Sequence, residues 1–275
     1  KVLMSGDLTA TSTVPTYLVG REIYLIEVTI NGKVLEYFFV TGQPPVTEAQ
    51  MNLIKAGAIP LDNLDLDPPP YCLAAGTGVA TPNGQRRVEK LRPGDLVLTA
   101  DGRSVPVRWI GSSRYGRFQA SRDAAVRPVV VRAGALGPGM PRRDLTLSPQ
   151  HRVVVDCAEC ELLFGSSQVF VAAKHLPASV ASSPAPVGEV VYYHLLLDQH
   201  DVILANGQPV ESFQPARRMI ETLAPAARAE LEAVLDGLGR DRMLTRPDAL
   251  PTLAAYEALV LADFACRPRD AAQAA

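Results

Sequence analysis

The chain has 275 residues, 47% of them hydrophobic and 20% charged, with a formal net charge of −2. That length can bury a proper core in one large domain or two small ones, and the near-neutral balance gives no bulk electrostatic reason to expect a nucleic-acid partner. The longest apolar runs, such as residues 126–131, are too short and interrupted to span a bilayer, and four cysteines do not make a disulfide framework.

Residues 1–71 read as a small α+β unit. "GREIYLIEVTINGKVLEYFFVTG" holds two alternating β-rich runs around Asn31-Gly32, a strong hairpin signal. "PPVTEAQMNLIKAG" reads as a helix, with Thr47 as N-cap, Met51, Leu53 and Ile54 apolar, and Gly57 as the stop. The acidic, proline-rich "LDNLDLDPPP" follows as a linker.

Residues 72–213 change character. Short β-rich runs ("DLVLTA", "VPVRWIG", "VRPVVVRAG", "DLTLS", "HRVVV", "SQVFVAAKHL", "EVVYYHLLL", "HDVILANG") alternate with turn chemistry at Pro82-Asn83-Gly84, Pro93-Gly94-Asp95, Asp101-Gly102 and Asn206-Gly207. The pattern predicts an all-β domain of antiparallel strands, since no amphipathic helices separate the runs as parallel crossovers require.

Residues 214–275 switch to helical period. "PAARAELEAVLDGLG" opens with Pro225, stops at a glycine and puts Leu231, Val234, Leu235 and Leu238 on one face. "LPTLAAYEALVLADFAC" predicts a second helix, and "RPRDAAQAA" a frayed end. This tail is expected to pack on the β-domain or to mediate contacts.

Cys157 and Cys160 form a C-x-x-C pair that reads as a hairpin tip. Zinc would need a second ligand pair, only His175 lies near, and no strand–helix redox context surrounds the pair. Cys266 reads as a packed residue of the tail. No cofactor or metal is expected. Localisation is left open: no secretory signal is visible, the chain starts at Lys1, and a soluble protein is expected, secreted or surface-associated if it is cut from a longer one.

Cys72 stands apart. In "DPPPYCLAAGTGVATPNG" three prolines hold the chain extended and deliver the cysteine to the start of the β-rich region. From the residues alone it is either a small apolar residue at a domain edge or the neighbour of a peptide bond that matters.

Three ordered blocks carry a resemblance. "CLAAGTGVATPNGQRRVEKLRPGDLVLT", "LTLSPQH" and "VVYYHLLLDQHDVILANG" resemble the Hint module shared by inteins and Hedgehog carboxy-terminal domains, nearest to the bacterial intein-like type. The resemblance covers about half the chain and implies a Hint-type horseshoe of short antiparallel strands. It also implies self-processing: Cys72 attacks the carbonyl of Tyr71, and the amide becomes a thioester. Water, a thiol or an amine, including one on an acceptor protein, then releases or transfers residues 1–71. The substrate is the chain's own N-terminal segment, turned over once.

By the same resemblance His151 matches the histidine of a Thr-x-x-His block and would protonate the scissile nitrogen, while Ser148 stands in the threonine position and would bond the same amide. Read on their own, Ser148-Pro149 makes a turn and His151 opens a strand. The third block offers Asp198 as the base that takes the thiol proton, with Asp201 as its rival, and His200 as the family histidine; both carboxylates also read as solvated turn residues. His194 and His175 read as structural. A splicing intein ends in His-Asn, whose asparagine cyclises. Here Glu211-Ser212 stands in that place, so splicing is not expected, and nothing beyond Phe213 resembles a sterol-recognition region. Two other classes compete: a Hint fold kept as a structural or interaction module after its activity has faded, and a cysteine hydrolase acting in trans.

Overall fold

A computed structural model of the chain describes residues 2–7, 22–30, 33–40 and 71–263. Two compact units divide at Pro68/Pro69. In the first, β1 (Val2–Asp7), β2 (Glu22–Ile30) and β3 (Lys33–Val40) form an antiparallel sheet in that order. Ile30 pairs with Lys33, so Asn31-Gly32 is the two-residue connection between β2 and β3. The helix expected over residues 44–57 lies outside the described residues, as does Cys266.

The second unit is mainly β, and its paired strands are antiparallel. One six-stranded sheet joins β4 (Leu73–Ala74), β9 (Trp109–Tyr115), β10 (Val129–Val131), β11 (Leu145–Leu147), β14 (Ala181–Ser182) and β15 (Val190–Leu196), in the order β14-β10-β11-β4-β15-β9. The other joins β5 (Gly78–Thr81), β6 (Gly84–Arg87), β12 (Arg152–Asp156), β13 (Gln168–Ala172), β16 (Val202–Ala205) and β17 (Gln208–Glu211), in the order β13-β12-β17-β16-β5-β6. A two-stranded ribbon, β7 (Leu96–Leu98) with β8 (Ser104–Pro106), lies between β6 and β9 in sequence. The core they share includes Leu73, Val79, Val97, Leu145, Leu147, Val153, Leu195, Ile203 and Val210.

Turn chemistry places these strands. Asn206 and Gly207 both take positive φ, +50° and +84°, and join β16 to β17 in a two-residue hairpin. The C-x-x-C pair is not at a hairpin tip. Residues 158–164 form a short helix, α2 (Ala158–Phe164), between β12 and β13, with Cys157 as its N-cap and the two sulfurs 3.2 Å apart. The six-residue α1 (Arg117–Arg122) is likewise a short insertion after β9. Among the described residues no group of His, Cys, Asp and Glu could hold a metal ion, and no helix is long and apolar enough to cross a membrane.

The C-terminal segment packs on the β-domain. It runs through α3 (Arg217–Thr222), α4 (Pro225–Leu238), α5 (Arg240–Thr245) and α6 (Ala255–Asp263). Pro225 opens α4 and Gly239, at φ +87°, closes it. Leu231 and Leu235 of α4 are buried against Trp109, Leu196 and Phe213 of the β-domain, and Val234 and Leu238 pack beside them. Between α5 and α6 the chain pairs with β13: Phe170 N–H donates to the Pro251 carbonyl at 2.8 Å and Leu253 N–H to the Phe170 carbonyl at 2.9 Å. The outer edge of β13 is thereby covered rather than left open to a second chain.

Candidate active site

The site is assembled by strand register. In the antiparallel pairs of β4, Leu73 faces Leu147 of β11 on one side and Tyr193 of β15 on the other. One residue further out, the same register sets Cys72 between Ser148 and His194. The Cys72 backbone N–H, which belongs to the Tyr71–Cys72 peptide bond, donates to Ser148 Oγ at 2.9 Å, and Ser148 N–H donates to the Cys72 carbonyl at 3.1 Å. Both ring nitrogens of His194 lie 3.3 Å from Cys72 Sγ. His151 closes the Ser-Pro-Gln-His turn by donating its backbone N–H to the Ser148 carbonyl at 3.1 Å.

Cys72, Ser148, His151 and His194 are all buried. Trp109 holds His194 from one side, its ring 6.2 Å away and nearly parallel, and Phe213 meets it edge-on at 5.0 Å. Trp109 reaches that place across Gly111, the residue that pairs with His194 on β9. A Cβ at Gly111 would lie 2.0 Å from the indole ring, so only glycine leaves the indole its seat.

Burial decides the charge states. It pushes the Cys72 thiol well above its ordinary pKa; the Glu211 charge adds to the rise and the Ser148 contact opposes it. Burial lowers both imidazoles to about 4, although the Tyr71 backbone carbonyl pulls each back upward. Neither ring nitrogen of His151 makes a well-formed hydrogen bond among the described residues. Near neutral pH the site holds a neutral thiol against a neutral His194, with the His151 ring also neutral.

The other expected site residues lie elsewhere. Asp198 follows the end of β15, part-exposed, and the Arg108 fork binds it with contacts of 2.9 and 2.6 Å. Asp201 pairs with Arg103 at 2.5 Å. His200 belongs to a neighbouring charged cluster. Its Nε2 is 3.3 Å from Glu211 Oε2, and its Nδ1 accepts from Ala249 N–H at 3.1 Å while lying 3.1 Å from Asp248 Oδ1. Burial lowers the affinity of His200 for a proton, but the two carboxylates outweigh it and the net shift is upward. Arg152 completes this cluster between Glu211 and Asp248. His175 sits in a short 3-10 turn after β13.

So the fold brings Tyr71, Cys72, Ser148 and His151 together, adds His194, and sets Asp198 and His200 apart. Sequence reasoning passed over His194, Arg152, Glu211 and Asp248 as site residues. A polar residue in the apolar run "VVYYHLLL" was the one available signal, and it pointed equally to a packed histidine.

The Hint domain family model matches residues 71–217, more than half of the chain. The chain belongs to the Hint domain family. Among solved structures the Hint unit is similar to the MchDnaB-1 intein, with 17% identity over 50% of this chain and 98% of that one, at a TM-score of 0.34. It is also similar to the bacterial intein-like domain from Clostridium thermocellum, with 12% identity over 52% of this chain and 99% of that one, at a TM-score of 0.36. No curated protein matches the chain. The matched Hint region opens at Tyr71 and contains Cys72, Ser148, His151, His194, His200 and Glu211; Asp248 lies beyond its end.

Proposed function

We propose that this Hint protein processes itself at the Tyr71–Cys72 bond. The observation that carries the reading is the placement of the Cys72 thiol against His194, with the N–H of the same peptide bond held by Ser148. The thiol sits one residue from its target, so attack is intramolecular and loses no approach entropy. The Ser148 contact fixes the plane of the amide.

With the thiol pKa raised, thiolate is scarce and the proton must leave as sulfur attacks. His194, neutral down to a pH of about 4, is the acceptor at hand. The S–C bond forms at the Tyr71 carbonyl carbon and the C–N bond breaks. The proton passes from sulfur through the His194 ring to the departing Cys72 nitrogen, which becomes an amine. Transfer all the way to an amine gives this proton a favourable destination that a lone imidazole would not. His151, in the same turn as Ser148, is the second candidate to hand a proton to that nitrogen, as its match to the Thr-x-x-His block implies. Water, a thiol or an amine then attacks the thioester and frees or transfers residues 1–71. Asparagine cyclisation has no place in this scheme, because Glu211 stands there in a buried pair with Arg152.

A second reading has an observation of its own. Cys72 also packs with Ala74, Ala120, Val126, Val190 and Tyr192, and a buried thiol of raised pKa suits a Hint scaffold that no longer reacts. Intact mass of the purified chain against time, with and without thiol or hydroxylamine and beside Cys72→Ala, separates the two. Fragments 1–71 and 72–275, absent in the variant, support self-processing. An unchanged mass in strong nucleophile leaves the scaffold.

A further inference from the structure

Tyr71 supplies the acyl group in the scheme above, and its side chain is held as closely as the bond it precedes. The residue is half-buried, packed against the cluster of Trp109, Leu196, Phe213 and the helices of the C-terminal segment. The Arg152 guanidinium carbon lies 5.6 Å from the centre of its ring and 5.0 Å from the centre of Phe170. Among the described residues the Tyr71 hydroxyl makes no hydrogen bond, so what is recognised is the aromatic face.

Arg152 is built to present a face. An arginine has five N–H donors in a rigid fork. Its Nε donates to Glu211 Oε2 at 2.7 Å, and one terminal nitrogen meets Glu211 at 2.6 Å and Asp248 at 3.2 Å. The other terminal nitrogen donates to Asp248 Oδ2 at 2.6 Å and to Thr252 Oγ1. Every donor is engaged within the protein, which leaves the flat π-surface for the nearby rings of Tyr71 and Phe170. Burial lowers the tendency of this guanidinium to hold its proton, but the paired carboxylates outweigh it and keep the cation in place.

Two of its three supports, Asp248 and Thr252, come from the stretch between α5 and α6, beyond the matched Hint region. We propose that the C-terminal extension completes a recognition site for an aromatic residue at position 71, with Arg152, locked by Glu211 and Asp248, as the specificity-determining residue for the acyl side of the scissile bond. The inference rests on the self-processing reading. It gives the extension a task in the chemistry without any contact to the reacting atoms.

The test is a panel of full-length chains with Tyr71→Phe, Tyr71→Leu and Tyr71→Lys, each alone and with Arg152→Met plus Glu211→Gln. The rate of Cys72-dependent cleavage in hydroxylamine is followed by intact mass. In the wild-type background Phe is expected to match Tyr, while Leu falls behind by about three- to thirty-fold, the span of a cation–π contact, and Lys behind Leu. In the paired background the Phe/Leu ratio should collapse toward one. A merely structural Arg152 would slow all four chains alike and leave that ratio unchanged, which overturns the proposal. If the paired variant does not fold, Asp248→Asn replaces it, with the ratio expected to shrink part of the way. Cleavage with no preference at residue 71 in the wild-type background overturns the recognition site and spares self-processing. Absence of Cys72-dependent cleavage in every chain overturns both.

Discussion

His194 and Cys72 are cross-strand neighbours, 122 positions apart in sequence, with the sulfur 3.3 Å from either ring nitrogen. Asp198, only four positions further along, is tied to Arg108 at the surface. If the thiol proton leaves through His194, His194→Gln should slow Cys72-dependent cleavage by about a hundred- to ten-thousand-fold, the usual range for a positioned acid–base group. Asp198→Asn should leave the rate where it is and shift stability by no more than about 1 kcal/mol, as exposed ion pairs do. Cleavage rates of the two variants, measured side by side, decide the matter: a slow Asp198→Asn with a fast His194→Gln would transfer the role to the carboxylate.

The two depressed histidines also set a pH dependence of stability. A histidine neutral in the fold down to a pH of about 4, but titrating near 6.5 when unfolded, binds fewer protons folded than unfolded between those values. Its contribution is therefore fully present above about pH 6.5 and is lost as pH falls toward 4. His200 is shifted upward and works in the opposite sense, so its stabilisation is present at low pH and fades as pH rises through its folded value. Urea midpoints recorded from pH 7.5 to 4 should fall steeply, and His151→Gln or His194→Gln should each reduce the slope by up to about 1.4 kcal/mol per pH unit. A slope that neither substitution changes would mean that these rings titrate normally in the fold.

Turn and strand signals that span a few residues are legible in the sequence. Asn206-Gly207 and Pro225 announce their turn and helix start within a few residues, and the β-rich runs coincide with β7 to β13, β15 and β16, while the two-residue β14 carries no such run. The Hint family is reached by the resemblance of the three ordered blocks, which the strand and turn patterns alone do not supply. His194 was hidden because its role depends on the β4–β15 register, a long-range property that one strand's pattern does not carry. Asp198 drew attention as a carboxylate in the right block, but β15 ends before it and Arg108 is its neighbour there. The C-x-x-C pair misled for a related reason: "CAECELLF" makes only two turns of helix, too short for a period to declare itself.

Gly111 gives a test of how His194 is held. The indole of Trp109, the chain's single tryptophan, lies across this glycine and against the histidine. Gly111→Ala puts a methyl into ring atoms that cannot retreat into the buried cluster behind them. The expected cost is about 1–3 kcal/mol, typical of overpacking, together with a slower cleavage rate as His194 loses its backing. Emission from Trp109 reports the displacement directly and should change in the native baseline, before any unfolding. An unchanged native spectrum with an unchanged urea midpoint would show that the ring has another seat.

The Arg152–Glu211 pair should show the asymmetry of buried charge. Glu211 is fully buried and meets Arg152 at 2.6 Å; burial raises its pKa, but Arg152 and His200 outweigh this and hold the carboxyl below its ordinary range. Arg152→Met alone leaves that carboxylate with His200 and the backbone N–H of residue 152 but without its paired cation, and Glu211→Gln alone leaves the guanidinium with Asp248 as its remaining carboxylate. Each single change is expected to cost about 3–5 kcal/mol, as removal of one partner from a buried pair does. The double change removes both desolvation penalties and should cost clearly less than the sum, with a coupling of roughly 0.5–3 kcal/mol in a double-mutant cycle on urea stability. Additive losses would mean that the two charges act independently. Arg152 would then have its position from Asp248 and Thr252, and the ratio of Phe to Leu at residue 71 should respond to Asp248→Asn more strongly than to Glu211→Gln.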